Sequence, residues 1–507
     1  AGDGNLHFRL SLDLDQTNTL ENYSAFMSDL VEMVVDKYDG SLKAEHGTGR
    51  NMAPFVEKEW GGTAYKTMQD IKALLDPNGI LNPHVLLSND EQIHLKHIKP
   101  IPLVDDIVDP CIECGLCEPV CPSKDFTLTP RQRIGVLREI ESLGETAGNE
   151  TSIKRLEKAF RFYGVDTCAI DGLCSMSCPV DIDTGQMMKK FRAESHGVPA
   201  RFMHRLAEKH FSWTLRGVRT ALRLITPLRY AMRNEKIQQG MKVINRLSGG
   251  SIPALNPHLI AASEILPPQS KEVDMIYFPS CLTRSLGKPE KTGLTTAETF
   301  TEILTHAGIG FGYPQNISNL CCGLSYSSKG YSEAALQAAI HTTENLWISS
   351  LEGELPIVMD TSPCSKHLAH YDELLSGIHL ARWRALKIYD MVEYLHDIVL
   401  DKLSLWHVKE KVVLHLTCST RHMGLGAKME GLARRCSKEV IIPHDTGCCG
   451  FAGDRGLLVP GLAESATEME SNEINDIDAD GYYSTSRTCE IGMTMATDKS
   501  YQPLVSL

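Results

Sequence analysis

The sequence predicts a multidomain chain: an α+β segment, then a helical metal-binding segment, then two repeated α/β units. Three observations carry this expectation. The opening stretch alternates glycine turns and short apolar strands with two helical stretches. Two cysteine runs, starting at Cys111 and Cys168, are too tightly spaced for a disulfide frame. Beyond residue 272 an apolar strand, a cysteine and a Cys-Cys-Gly recur in the same order twice.

Composition narrows the class. The chain has 507 residues, 42% of them hydrophobic, and a net charge of −13. That fits a soluble globular protein and argues against general nucleic-acid binding. It begins at Ala1 without a charged-then-apolar leader, and no apolar run is long enough to span a bilayer. The sixteen cysteines are clustered and vicinal. Metal sites in a reducing compartment, and hence a cytoplasmic location, are expected.

Residues 1 to about 90 come first. Ala1–Gly–Asp–Gly–Asn5–Leu–His7–Phe–Arg9–Leu reads as a glycine turn entering a strand, with His7 and Arg9 on one face. A helix is expected from about Thr19 to Lys37. Ser41–Leu–Lys–Ala–Glu45–His46–Gly–Thr–Gly49–Arg50 is a strand running into a glycine loop. A second helix, about Pro54 to Leu75, stops at Asp76–Pro–Asn–Gly79. The β-α-β-α order suggests half of an α+β cap with His7 and Glu45 on neighbouring strands. Such residues could hold a divalent metal and act as a base, although near loops they are more often simply solvated.

These motifs, with Asp76–Pro–Asn–Gly–Ile–Leu–Asn82–Pro83, resemble the carboxy-terminal substrate half of the FAD-linked D-2-hydroxyacid dehydrogenases. The resemblance implies that His7 and Glu45 hold a divalent metal such as zinc beside the flavin, and that His46 is the general base. It puts Arg9 and Arg50 among the substrate-binding residues and Asn5 and Asn82 among the cofactor-binding ones. Arg9 departs from the asparagine of some relatives, so the hydroxyacid stays open. In that family a flavin domain and a further metal-binding histidine precede this turn. The chain is therefore expected to be a carboxy-terminal fragment, with FAD bound mostly by the missing domain.

Residues 84 to 110 read as a polar, proline-bearing crossover. The run Cys111–Ile–Glu–Cys114–Gly–Leu–Cys117–Glu–Pro–Val–Cys121–Pro122 then has the spacing C-x2-C-x2-C-x3-C-P. Three thiolates at this pitch wrap one face of a four-iron cluster, and the fourth reaches a neighbouring cluster. A zinc knuckle would need two separated pairs instead. The second run, Cys168–Ala–Ile–Asp171–Gly–Leu–Cys174–Ser–Met–Ser–Cys178–Pro179, has an aspartate in the second cysteine slot. By the crossing rule Cys111, Cys114, Cys117 and Cys178 hold one cluster. Cys168, Cys174 and Cys121 hold the other, with Asp171 facing its fourth iron. Asp171 is a ligand or a solvated turn residue. A carboxylate is a harder ligand than a thiolate. The second cluster is then either four-iron with an Asp or water ligand, or three-iron.

Pro130 suits the first turn of a helix, and the stretch between the runs should be helical. Residues 181 to 250 hold 14 Lys plus Arg against 5 Asp plus Glu, an excess of +9 in an acidic protein. Leu215, Val218, Leu222 and Ile225 share one helical face; Arg216, Arg219 and Arg223 share another. The face either docks on an anionic membrane surface near a quinone or belongs to an arm packed on its own domains. The second reading is preferred, since such charge runs are commonly just solvated.

In the repeated region Val273 to Cys281 matches Val412 to Cys418, and Cys321–Cys322–Gly323 matches Cys448–Cys449–Gly450. Met359 to Cys364 matches Tyr483 to Cys489. Each unit thus gathers four thiols at strand ends, where open parallel sheets put their sites. Cys436 is read as a small core residue. The units resemble the CCG domains of heterodisulfide reductases and of the iron–sulfur subunits of glycolate and glycerol-3-phosphate dehydrogenases. That resemblance implies a further cluster, zinc or a purely structural site. The family's terminal C-x-x-C is absent here, as Cys364–Ser–Lys–His367 and Cys489–Glu–Ile–Gly492 show.

The domain order is then 1–90, a partial FAD-oxidase substrate cap; 91–250, a helical two-cluster ferredoxin-type domain with a basic arm; and CCG units at 272–400 and 408–507. This order resembles the bacterial flavin and iron–sulfur fusion dehydrogenases of the D-lactate (cytochrome) or D-2-hydroxyglutarate type over nearly the whole chain. It implies oxidation of a small 2-hydroxyacid, D-lactate first and D-2-hydroxyglutarate second. Electrons would leave through the clusters to a quinone or cytochrome, with peripheral contact to the inner face of the cytoplasmic membrane as an option. The alternative is a non-catalytic electron-transfer subunit of the glycolate oxidase type. A heterodisulfide-reductase-like thiol enzyme would instead expect complete C-x-x-C endings.

Overall fold

The computed structural model describes residues 4, 6, 18–43, 47–98, 101–225, 235–247, 258–261, 266–287, 293–404 and 408–507. It forms two compact units, residues 1–103 with 141–146, and residues 104–140 with 147–507.

In the first unit α1 (Thr19–Val31) continues as a π-helical turn over Glu32–Lys37. A 3-10 turn, Ala53–Phe55, leads into α2 (Val56–Leu75), which is broken at Gly61. These are the two helices expected from the sequence. The stop after α2 has a mechanism: the Asp76 carboxylate accepts the N–H groups of Ile80 and Leu81, each at 2.9 Å. The expected strands near residues 6–10 and 41–46 lie mostly outside the described residues.

The second unit starts with a helical segment. It contains α3 (Pro130–Gly144), α4 (Glu150–Phe160), a single turn α5 (Leu173–Met176) and α6 (Thr184–Glu194). Pro130 does open α3. The residue before it makes a reciprocal cap: Thr129 N–H donates to Gln132 Oε1 at 2.9 Å, and Gln132 N–H to Thr129 Oγ1 at 3.3 Å. Val108, Ile134, Phe160, Ile182, Met187 and Met188 form its core. Two arm helices follow, α7 (Val198–Lys209) and α8 (Phe211–Ile225). Phe211 and Leu215 of α8 pack on Cys321 and Cys281. Val218 does not join them and is 43% exposed. The apolar face read from spacing is therefore buried at Leu215 and only partly buried at Val218 and Leu222.

Two four-stranded sheets make up the rest. The first has β1 (Met275–Phe278), β2 (Phe311–Gly312), β3 (Ile357–Met359) and β4 (Ile388–Asp390) in the order β2-β1-β3-β4. The second has β5 (Lys409–Leu414), β6 (Ser437–Ile441), β7 (Gly481–Ser484) and β8 (Tyr501–Pro503) in the order β6-β5-β7-β8. All pairs are parallel. Alternate residues of β1 and β3 enter different cores. Met275, Tyr277 and Val358 lie on one side, and Ile276, Phe278, Ile357 and Met359 on the other. Both faces are covered, so the strands are apolar throughout. The chain reverses direction across each sheet between its first and third strands, β1 and β3 or β5 and β7. Outside their carboxyl ends lies the crevice where such sheets place sites.

The glycine of each Cys-Cys-Gly has a double reason to be there. Gly323 and Gly450 have φ of 81° and 66°. A Cβ on Gly450 would stand 2.8 Å from Leu462 O and 2.9 Å from Ala466 Cβ on the helix Pro460–Asn475. One on Gly323 would stand 3.2 Å from Ala335 O and Ala338 Cβ on the helix Ser332–Ser349. Only a bare Cα lets the turn lie against the helix.

Two predictions follow from this packing. Gly450→Ala should destabilise the second sheet unit by about 1–3 kcal/mol through strain at a positive φ plus overlap. Gly323→Ala, with the looser fit, should cost less. Thermal unfolding of both variants checks the order. Asp390, buried at the end of β4, caps the following turn through Val392 N–H at 2.9 Å. Burial pushes its carboxyl up to about 6. A carboxyl with a raised folded pKa favours the folded state while protonated, so stability falls as pH rises from about 4 to about 6. Asp390→Asn should remove that slope and raise stability near neutral pH by about 2–3 kcal/mol. Unfolding curves across that pH range test it.

Candidate metal and electron-transfer site

The two tight cysteine runs have the same backbone. Glu113 and Gly115 have positive φ of 54° and 81°, and Ile170 and Gly172, at the same places in the second run, 53° and 78°. Asp171 therefore occupies the backbone slot that Cys114 occupies in the first run. Each loop is held from behind by a buried arginine. Arg138 pairs with Glu113 at 2.9 Å and donates to Cys111 O at 3.1 Å. Arg192 donates to Val165 O and Cys168 O, each at 2.7 Å.

Cys111, Cys114, Cys117 and Cys178 line one pocket, with Gly115 and Pro179 at its edge. Cys121 turns the other way and is buried with Cys168 and Cys174. Arg133, 1% exposed, stands among these three. It donates to Cys121 Sγ at 3.7 Å, Ser123 Oγ at 2.8 Å and Gly164 O at 2.8 Å. Burial pushes the Cys168 thiol up, while Arg133 and Arg192 pull it back. The four-thiol pocket suits a cluster of four irons. The second set offers three thiols, one carboxylate and a buried cation, which would favour the reduced, more negative state of a bound cluster.

Asp171 Oδ1 accepts the Leu173 N–H at 2.8 Å. Its Oδ2 is buried, and the carboxyl contacts the Cys448 thiol. Burial holds the carboxyl above the usual range. It lies close to Cys174 on one side and to Cys418 and Cys448 on the other. Lys366 Nζ donates to Asp171 O at 2.8 Å. The second cysteine set thus abuts the second repeated unit, a neighbourhood that sequence spacing did not show.

In the first repeated unit Ser280 caps the turn that begins at Cys281. Cys321 Sγ lies 4.0 Å from Cys281 Sγ, and the Cys322 thiol touches that of Cys364. In the second unit Thr417 caps the turn at Cys418, Cys418 touches Cys448, and Cys449 Sγ lies 3.2 Å from Cys489 Sγ. Contact with Cys321 and burial push the Cys281 thiol up; contact with Cys448 and burial do the same for Cys418. Packed thiols of this kind lose their protons readily only to a bound cation. Cys436 sits apart from them, half-buried at the end of the helix Gly426–Cys436.

Three residues were missed from sequence. Arg284 and Arg421 each stand three places after the first cysteine of their unit. Arg284 donates to Ile317 O at 2.6 Å and Leu320 O at 2.5 Å; Arg421 donates to Thr446 O at 2.5 Å. Both clamp the loop that carries the Cys-Cys pair. The repeated C-x-x-R was the available signal. The third is His415, fully buried at the end of β5. Its Nδ1 lies 2.7 Å from Glu470 Oε1. A lone histidine in an apolar strand three residues before Cys418 was its signal.

His7, Arg9, Asn5, Glu45 and His46 lie outside the described residues. Arg50 donates to Lys96 O at 3.1 Å, so its guanidinium is engaged with backbone. Asn82 has a positive φ of 42°. His367, in the place of the absent terminal cysteine, is buried, and burial pushes its pKa down to about 3.

Comparison with known proteins places three kinds of domain on the chain. Residues 1–86 match the C-terminal domain of FAD linked oxidases. Residues 107–182 match a 4Fe-4S dicluster domain, and residues 275–369 and 412–494 each match the cysteine-rich CCG domain. The glycolate oxidase iron-sulfur subunit of Escherichia coli is 24% identical over 385 residues, 74% of this chain and 86% of that protein. The D-2-hydroxyglutarate dehydrogenase of Stutzerimonas stutzeri is 37% identical over 83 residues, and the mitochondrial D-lactate dehydrogenase [cytochrome] of Arabidopsis thaliana 39% over 90. The chain spans only 18% and 15% of those two dehydrogenases. The resemblance to hydroxyacid dehydrogenases is therefore carried by the first domain, and the resemblance to an iron–sulfur subunit by the rest. The chain combines an FAD-oxidase C-terminal domain, a 4Fe-4S dicluster domain and two CCG domains.

Proposed function

We propose that this chain works with an FAD-binding domain to oxidise a D-2-hydroxyacid to the 2-oxoacid, D-lactate first and D-2-hydroxyglutarate second. Electrons then pass through its cysteine-held centres to a quinone or cytochrome. The observation that carries this reading is an FAD-oxidase C-terminal domain on the same chain as two cysteine sets, the second of which abuts a third. A bound flavin would supply the hydride acceptor for the α-carbon, and clusters would suit the one-electron release that must follow.

Within the first domain His7 and Glu45 would hold the divalent metal against the substrate hydroxyl. His46 would take the hydroxyl proton, and Arg9 and Arg50 would meet the substrate carboxylate. Asn5 and Asn82 would face the flavin. Cys111, Cys114, Cys117 and Cys178 would hold one four-iron cluster. Cys121, Cys168 and Cys174 would hold the other, with Asp171 Oδ2 available to its fourth iron. The two CCG units would take a further cluster or zinc.

A second reading is favoured by a specific observation. A relative that matches 74% of this chain is an iron–sulfur subunit. On that reading the chain transfers electrons without its own catalysis. The exposed Trp213 and Leu224 of α8, beside Arg216 and Arg223, support peripheral contact with the inner face of the cytoplasmic membrane. Among the described residues no helix is long and apolar enough to cross a membrane.

Two experiments test this. The anaerobically reconstituted chain should contain acid-labile sulfide and show two low-potential centres by EPR. Asp171→Cys should turn any three-iron signal into a four-iron one. A wild-type protein holding zinc alone, without sulfide, would defeat the electron-transfer reading. In the flavin-loaded assembly His46→Ala should lower D-2-hydroxyacid turnover by about 10²–10⁴-fold with FAD and iron content unchanged. Retention of more than about a tenth of wild-type turnover, far above the loss of a general base, would favour the non-catalytic reading.

A further inference from the structure

The two CCG units share strand order and cysteine order but differ beneath the thiols. Phe278 ends β1 three residues before Cys281, and His415 stands three residues before Cys418. The strand registers agree: Phe278 pairs with Met359, five residues before Cys364, and the His415 N–H donates to Tyr483 O at 2.9 Å, which sets His415 beside Ser484, five residues before Cys489. The first unit therefore has a phenyl ring where the second has an imidazole. This imidazole is fully buried, and so is the Glu470 carboxylate at 2.7 Å from its Nδ1. Its other nitrogen, Nε2, is buried, and the ring contacts the Cys449 thiol. A donor atom of His415 and the sulfurs of Cys449 and Cys489 all lie within 4.8 Å of one another.

We propose that the second CCG unit holds a zinc ion on His415 Nε2, Cys449 Sγ and Cys489 Sγ, a nitrogen–sulfur site at whose imidazole position the first unit has the ring of Phe278. The inference deepens the reading of the CCG cysteines as metal ligands and rests on it.

The chemistry fits the geometry. Zinc takes mixed imidazole and thiolate ligands in a tetrahedron. Two thiols lose their protons to solvent, so two thiolates balance the charge of the ion. His415 binds as the neutral ring, with its remaining proton on Nδ1 facing Glu470. A carboxylate behind a ligating imidazole fixes the tautomer and the ring orientation, as metal sites commonly require. Without a metal, burying an imidazole against a carboxylate under two thiols is costly in the interior. The fourth position falls to Cys448, whose thiol touches that of Cys449, or to water. Position 492, where a terminal C-x-x-C would put its last thiol, is glycine. A Cβ there would lie 3.5 Å from Cys449 Cβ. His415 enters from the strand side and supplies a donor that this position lacks.

The test uses the full chain, purified anaerobically, with its ferredoxin-type sets first filled with iron and sulfide. Zinc alone is then added and excess removed. Zinc X-ray absorption of the wild type should show a nitrogen shell at about 2.0–2.1 Å beside sulfur at about 2.3 Å. His415→Ala should lose the nitrogen shell and the tightly held zinc. Glu470→Gln should weaken zinc binding by about 10–100-fold through the orienting contact. Phe278→Ala, the matching change in the first unit, should leave the nitrogen shell intact. A sulfur-only zinc shell in the wild type would overturn the inference and leave the CCG cysteines as metal ligands. Absence of any zinc or iron beyond the ferredoxin-type sets would overturn both.

Discussion

The carboxy-terminal half depends on one close approach, that of each Cys-Cys-Gly turn to the helix that follows it. The turn must present two adjacent sulfurs to a crevice while its backbone rests on a helix. At Gly450 the space for a Cβ is already taken by Leu462 O and Ala466. Everything else in the unit serves this placement. Arg421 ties the loop before the turn to the end of β5, and Arg284 does the same after β1. Thr342 and Tyr371 accept no freedom in the first pair either, since their hydroxyls bind Cys321 O and Cys322 O at 2.9 and 2.7 Å.

The same logic runs through the ferredoxin-type segment, with buried arginines in place of helices. Arg138 and Arg192 hold the two loops by their carbonyls, and Arg133 fills the space between Cys121 and its partners. A buried guanidinium needs every donor matched or a charge beside it. Thiolates of a bound cluster would supply that charge. The second set carries both signs of charge, Arg133 and Arg192 acting on Cys168 and Asp183 and Asp171 on Cys174, and its aspartate abuts the next unit's thiols. Lys366 on Asp171 O pins the seam between them.

Much of this was legible in the chain. The C-x2-C-x2-C-x3-C-P spacing specified both the helical segment and the exchange of the last cysteine between runs, because so few backbones can bring four sulfurs to that pitch. The structure brings Cys178 to the first run's pocket and Cys121 to the second set. Pro130 and the Asp76–Gly79 stop marked helix ends, since their effects are local to one turn. The apolar face assigned to α8 was less legible. Periodicity says which residues share a face, and only a neighbour decides how much of that face is buried. Leu215 meets Cys321 and Cys281; Val218 meets solvent.

The sequence by itself determined the domain order, the cysteine sets and the repeated unit. These rest on spacing along the backbone, and spacing is written in the chain. Tertiary structure alone decided what lies behind each set. His415, Glu470 and Cys489 are separated by tens of residues, and nothing local links them. Asp171 and Cys448 likewise meet only because α5 packs against the turn Cys418–His422. Long-range pairs of this kind depend on which strand ends a sheet brings together. A parallel order of β6-β5-β7-β8 puts the ends of β5 and β7 side by side at the reversal of the chain, and that is where the histidine and the thiols converge.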